Sequence, residues 1–195
     1  DGTMAGTAHH CMMLLRPTSG ARTLTSFGTR AGLVIATCAV ALLTAVSGPS
    51  RAQEDIPTAI AVFDNYDTAG EGAEGTAAHA ARVEGFADLL KERLAAGGGF
   101  KVVELRCKTP PCTAGTMRPE ALIGAAREAG ARLLVYGGVH KMSTLIQMGK
   151  VQAIDLEQDK LILDQAFSFR GDNDEAFARA ADFVARYIRE ATAAN

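Results

Sequence analysis

The segments Leu133-Leu-Val-Tyr-Gly-Gly-Val139, Leu145-Ile-Gln-Met-Gly-Lys-Val-Gln-Ala-Ile-Asp-Leu156 and Leu161-Ile-Leu-Asp-Gln-Ala-Phe-Ser-Phe169 follow one another with little between them. In the third, Leu161, Leu163, Phe167 and Phe169 fall on one side of a period-2 pattern. Ile162, Asp164, Ser168 and Arg170 fall on the other, which predicts a strand with one buried face. The polar connections Lys141 to Thr144 and Glu157 to Lys160 are too short for a parallel crossover, which needs a dozen or more residues. The three segments therefore fold back as an antiparallel meander.

Working outward, Thr58-Ala-Ile-Ala-Val-Phe63 is an apolar run of strand length without alternation, as expected of a central strand covered on both faces. Residues 64–78 are rich in glycine and small residues and read as a mobile loop. Val83, Phe86, Ala87, Leu90 and Leu94 recur at helical spacing, so a helix spans 79–96 and stops at Gly97-Gly-Gly99. Phe100-Lys-Val-Val-Glu-Leu105 reads as the second strand. A second helix starts near Pro119, which suits a first helical position, and stops at Gly130. Asp172-Asn173 offers an N-cap for a last helix over 174–191, with Asp174 and Glu175 in its dipole-favoured first turn. The order is β-α-β-α-β-β-β-α, an α/β (α+β) fold with a mixed sheet and a C-terminal antiparallel meander. It makes one domain over residues 59–193.

Residues 1–52 read differently. Arg16, Arg22 and Arg30 precede an apolar run of about 15 residues, Gly32 to Val46, and Ser47-Gly-Pro-Ser50 and Ala52 follow. A basic region, a short apolar core and a small-residue exit are the parts of a secretory signal peptide, cleaved near Ala52. The run falls short of the roughly 20 residues of a membrane span. Met12 and Met13 are candidate translation starts. After cleavage, residues 53–58 form a polar tether, no stable membrane span remains, and the expected location is periplasmic or secreted.

Residues 53–195 keep 16 of the 20 Lys and Arg and 21 of the 22 Asp and Glu, a net charge of about −5. With no basic run or basic-aromatic cluster, nucleic acid is not an expected partner. Two cysteines remain, Cys107 and Cys112, and in an oxidising compartment they read most simply as one disulfide. Closing so short a loop contributes roughly 2 kcal/mol. Redox catalysis would prefer two residues between the cysteines at a helix start, not Lys-Thr-Pro-Pro.

No metal or cofactor is expected. Asp64, Asp67, Glu71 and Glu74 crowd one loop, but their spacing misses the calcium-loop pattern. The loop leaves the carboxyl end of a central strand, where open α/β sheets place ligand sites, so it remains a candidate surface. His140, Lys141 and Ser143 could be written as a nucleophile with a base, yet no third orienting group accompanies them. Arg170, Asp174 and Glu175 frame the turn into the last helix. Arg170 is expected to pair with one of the two acids, and that end could also contact a ligand or partner.

Ala59-Ile-Ala-Val-Phe-Asp64, Leu89-Leu90 with Arg93-Leu94, Val102-Val103, Ala129-Gly130-Ala131 and Leu133 to Val139, with Asp155 before the second meander turn, resemble the N-terminal domain of TolB and the CsgG-type curli secretion domains. Gly138-Val-His-Lys-Met-Ser143 with Leu145-Ile146, and Arg170-Gly-Asp-Asn-Asp-Glu175, are similar to a family of small periplasmic proteins known only as a domain of unknown function. The loop after Asp64 is shorter than in those relatives, so no loop residue carries over. The resemblance implies export, a single α/β domain and no cofactor, in a fold whose relatives act as assembly or interaction modules of the envelope. With no catalytic constellation among the residues, the expectation is a non-catalytic domain with an envelope protein as partner. The rival expectation is a small-ligand or metal-ion accessory protein using the acidic loop 64–74.

Overall fold

The computed structural model describes residues 54–195; the leader and its cleavage box lie outside the described residues. Nine elements follow in chain order: β1 (Ile56–Ile60), β2 (Asp64–Asp67), α1 (Ala73–Ala96), β3 (Phe100–Val103), α2 (Pro119–Glu128), β4 (Leu133–Lys141), β5 (Ile146–Asp155), β6 (Lys160–Arg170) and α3 (Asp174–Ala193). They build one six-stranded mixed sheet ordered β3-β1-β4-β5-β6, with β2 also paired to β4. The meander β4-β5-β6 is antiparallel, while β1 runs parallel to both β3 and β4.

Several boundaries differ from those expected. Strand β1 begins at Ile56, inside the expected tether, because Ile56 to Ala59 pair with Phe100 to Val103. It ends at Ile60, where the Val62 amide turns to donate to the Cys112 carbonyl. The chain then re-enters the sheet as β2, pairing Asp64 to Asp67 with Gly138 to Lys141. The expected loop 64–78 is therefore strand at its start. It is helix at its end, since α1 begins six residues early through Ala-rich sequence of high helix propensity.

Two helices cover one face and a single helix part of the other. α1 and α3 bury Phe86, Leu90, Phe177, Val184 and Ile188 against Val135, Val139, Val151 and Phe167. Phe86 is the hub, edge-on to Phe63 at 4.9 Å and to Phe177 at 6.1 Å between centroids. On the opposite face α2 packs Leu122 and Ala126 on Ala59, Ala61 and Leu134. The Cys107–Cys112 disulfide forms, with Cα atoms 5.7 Å apart, and closes the loop leading into α2.

Leu161 corrects the sequence reading. A register shift beside Ala153 and Ile154 pairs Ile154 with Leu161 and Ala153 with Leu163. The alternation therefore slips at the start of β6: Leu161 is exposed while Ile162 packs toward the core.

Gly149 lies under Phe167: a Cβ there would sit 2.2 Å from the Phe167 ring. Gly149→Ala is expected to cost about 1–3 kcal/mol in urea unfolding, because the ring must leave its rotamer. An unchanged midpoint would show that the β5–β6 layer is loosely packed.

Candidate functional site

Two successive residues at the end of β4 point to opposite sides of the sheet, and the site is organised around them. Val135, Val139 and Lys141 share the helix-covered side, and Tyr136, Gly138 and His140 the other.

Lys141 is completely buried. Its ammonium donates to Glu71, in the segment before α1, and to Asp172 at 2.6 Å, in the turn between β6 and α3. Asp172 also accepts from His79 Nδ1 at 3.0 Å and from Arg82 at 3.1 Å, both on α1. Arg82 reaches on to Asp174 at 3.1 Å. A carboxylate accepting from Nδ1 fixes the hydrogen there. His79 Nε2 is left buried without a partner among the described residues, as is Gln147 Oε1. Burial alone would lower the Lys141 pKa, but hydrogen bonds and charge from Asp172 and Glu71 outweigh it and hold the ammonium above its ordinary 10.5. Burial would likewise raise Asp172, but Lys141 and His79 outweigh it and hold the carboxyl below its ordinary 3.8.

The Asp172–His79 pair resembles two thirds of a hydrolytic triad. His79 is sealed from solvent, however, and no hydroxyl or thiol is hydrogen-bonded to its Nε2. The cluster instead ties three segments to the base of the β4–β5 hairpin. Thr68 N–H donates to the Lys141 carbonyl, and Gly171 N–H donates to the Leu145 carbonyl at 2.9 Å. Ser143 Oγ accepts from the amides of Leu145 and Ile146, so it serves the turn itself.

The hairpin so held is apolar. Met142, Leu145, Ile146 and Met148 are 44–68% exposed, and Tyr66 on neighbouring β2 is 54% exposed. Below them α2 leaves the outer half of the sheet bare, and a groove of about 420 Å³ runs between Tyr66, Tyr136, His140, Met148 and Lys150. Gly138 and Ala166 flank Lys150 in one cross-strand row and supply almost no side chain, which makes the depression. Burial, with Asp164 adding and Lys150 opposing, raises the Tyr136 pKa above its ordinary 10.0, so its hydroxyl stays protonated further into the alkaline range.

The other expected site residues disperse. Asp64 accepts from the Gly115 amide, and Asp67 Oδ1 from the Ala69 amide. Glu74 sits exposed in the first turn of α1. His140 Nε2 lies 2.8 Å from Thr68 Oγ1. The expected pairing of Arg170 with Asp174 or Glu175 is not found: Asp174 pairs with Arg82 and Glu175 with Arg179. Among the described residues no group of three or more His, Cys, Asp or Glu is placed to hold a metal ion. His79, Arg82 and Asp172 escaped sequence reasoning as site residues. The signal for Lys141 was its phase, in step with Val135 and Val139 facing inward.

Removing the buried cation alone should be severe. Lys141→Met is expected to destabilise by about 3–5 kcal/mol in urea melts, because Glu71 then loses its cation and faces the Asp172 carboxylate, which keeps only His79 and Arg82. Adding Glu71→Gln should recover part of the loss, and a single-variant loss below about 1 kcal/mol would contradict the burial.

The pH profile follows from the two shifts. Asp172, lowered on folding, contributes stability above pH 3.8 that is lost as pH falls through its folded value. Lys141, raised on folding, contributes stability below pH 10.5 that is lost as pH rises through its folded value. Thermal melts should show a plateau between, and Lys141→Met should flatten the alkaline limb.

No curated protein matches the chain. Among solved structures it is similar to the LpoB C-terminal domain from Salmonella enterica, at 15% identity and TM-score 0.43, over 61% of this chain and 85% of that one. The PelC dodecamer from Paraburkholderia phytofirmans aligns at 15% identity and TM-score 0.44, over 70% and 87%. TolB from Acinetobacter baumannii aligns at 15% identity and TM-score 0.42, over 73% of this chain but 30% of that one. No helix among the described residues is long and apolar enough to cross a membrane. The family model described as "Protein of unknown function (DUF2380)" matches residues 58–188, more than half of the chain, and the chain belongs to that family.

Proposed function

We propose that this chain is a non-catalytic interaction domain of the cell envelope, exported by its leader, which docks a protein partner on the β4–β5 hairpin and the bare half-sheet beneath it. The observation that carries this is the grouping of exposed apolar side chains. Of the six large hydrophobics that stand exposed among the described residues, Tyr66, Met142, Leu145, Ile146 and Met148 gather at one end of the sheet, and only Leu161 lies apart. Contiguous exposed apolar surface marks interaction sites, and methionine adapts to the shape of what it meets. The Cys107–Cys112 disulfide supports an oxidising location, as does the leader read from residues 1–52. The likeness to CsgG-type secretion domains, drawn from sequence motifs, belongs to the same proposal. The rival metal-binding reading is weakened because Asp64, Asp67 and Glu71 each have a separate partner.

A photo-crosslinking residue placed at Leu145 or Met148 in cells should give a reproducible adduct with one envelope protein, and one at Lys101 on the far edge strand should not. Leu145→Glu with Met148→Glu should abolish the adduct while leaving the melting temperature within a few degrees. The proposal fails if no adduct forms, or if position 101 gives the same one.

A further inference from the structure

We infer that β6 is a self-association edge, pairing antiparallel with β6 of a second copy about a twofold axis through Phe167. Strand β6 bonds only to β5, so eleven residues present an unpaired backbone edge. Strands of five or six residues are usual, and long apolar edges are normally blunted by proline, inward charge or a covering loop. The blunting here leaves residues 164–170 regular: it consists of the bulge at Ile162, the charged Lys160, Asp164 and Arg170, and one internal hydrogen bond, from Gln165 Nε2 to the Ala166 carbonyl.

Charge selects the occupant and the register. In a twofold antiparallel pair each side chain meets its counterpart across the axis on the same face. An axis through Gln165 would set Lys160 against Arg170 of the second copy, twice. An axis through Asp164 would set that carboxylate against itself. An axis through Phe167 sets Asp164 against Arg170 of the second copy, twice, and Ala166 against Ser168. Asp164 and Arg170 are both exposed. Arg170 makes no ion pair among the described residues, and Asp164 has only the exposed Lys150 at 2.9 Å.

A cleft of about 320 Å³ runs along the same edge between β6 and α3, lined by Phe167, Phe169, Ala176, Ala180 and Phe183 together with Ser168, Arg170 and Arg179. Phe169 and Phe183 are only partly buried against the core. Pairing at the Phe167 axis brings the two copies of this cleft together and gives both rings a cover. This edge adjoins the hairpin, with Arg170 beside Ile146 and Ser168 beside Met148, but the pairing uses the backbone groups of β6 that face away from β5.

Sedimentation velocity of the purified, disulfide-bonded protein over a wide concentration range tests this. The wild type is expected to shift from monomer to dimer. Asp164→Arg and Arg170→Asp should each raise the dissociation constant about tenfold or more, since each converts two attractive contacts into two repulsive ones. The double variant should restore dimerisation. Both positions are exposed, and circular dichroism should report an unchanged fold. A wild type that stays monomeric at every concentration overturns the inference, as does a dimer indifferent to single reversals or one the double variant fails to restore.

Discussion

A lysine with no exposed surface constrains everything near it. An ammonium taken out of water is tolerable only when paired and fully hydrogen-bonded. Lys141 therefore requires Glu71 and Asp172 to arrive at the same point, from segments 70 residues before it and 31 residues after it. Asp172 in turn requires His79 and Arg82, which sets the position of the first turns of α1 over the sheet. Such a cluster adds little net stability over a hydrophobic replacement. What it does is define geometry: the segment between β2 and α1, the end of β4 and the turn into α3 meet at the Lys141 ammonium, α1 joins them through Asp172, and the hairpin beyond has a fixed base.

The helices divide unevenly over the sheet, and that leaves the proposed docking surface uncovered. α1 and α3 together cover the face bearing Val135, Val139, Val151 and Phe167. α2 spans ten residues and packs its buried Leu122 and Ala126 over Ala59 and Leu134, toward the parallel half of the sheet. The long antiparallel strands β5 and β6 reach beyond that cover. Their outer face is bare because no element is left in the described chain to lie on it, and the apolar hairpin extends from the same half.

Much of this was legible in the sequence because it depends on periodicity. The meander, the central strand, the capped start of α3 and the Pro119 start of α2 all follow from apolar spacing and local turn chemistry. What escaped depends on pairing rather than pattern. Asp64-Asn-Tyr-Asp67 has no strand composition and is strand only because β4 offers an edge where β1 leaves it. Leu161 was placed inward by strict alternation, which a single shifted pair overrides. The acids of residues 64–74 looked like a set because they are close in sequence, but the fold sends Asp64, Asp67 and Glu71 to separate partners and leaves Glu74 exposed on α1. His79 and Arg82 looked like ordinary helix positions, since their meaning comes from Asp172, 93 and 90 residues away.

His140 and Lys141 show how one strand serves both ends of the design. Adjacent residues on a pleated strand face opposite sides, so the cation that secures the hairpin base and the imidazole beside the open groove cannot exchange roles without a register slip. A slip of one residue would bury His140 among Glu71 and Asp172 and expose Lys141 beside Tyr66, reversing the whole alternation of β4 at the same time. The nine-residue pairing of β4 with β5 resists that slip, and Val135 and Val139 with no exposed surface make its cost a core cost rather than a surface one. The ion cluster and the apolar ladder therefore enforce the same register, and the exposed hairpin inherits its orientation from both.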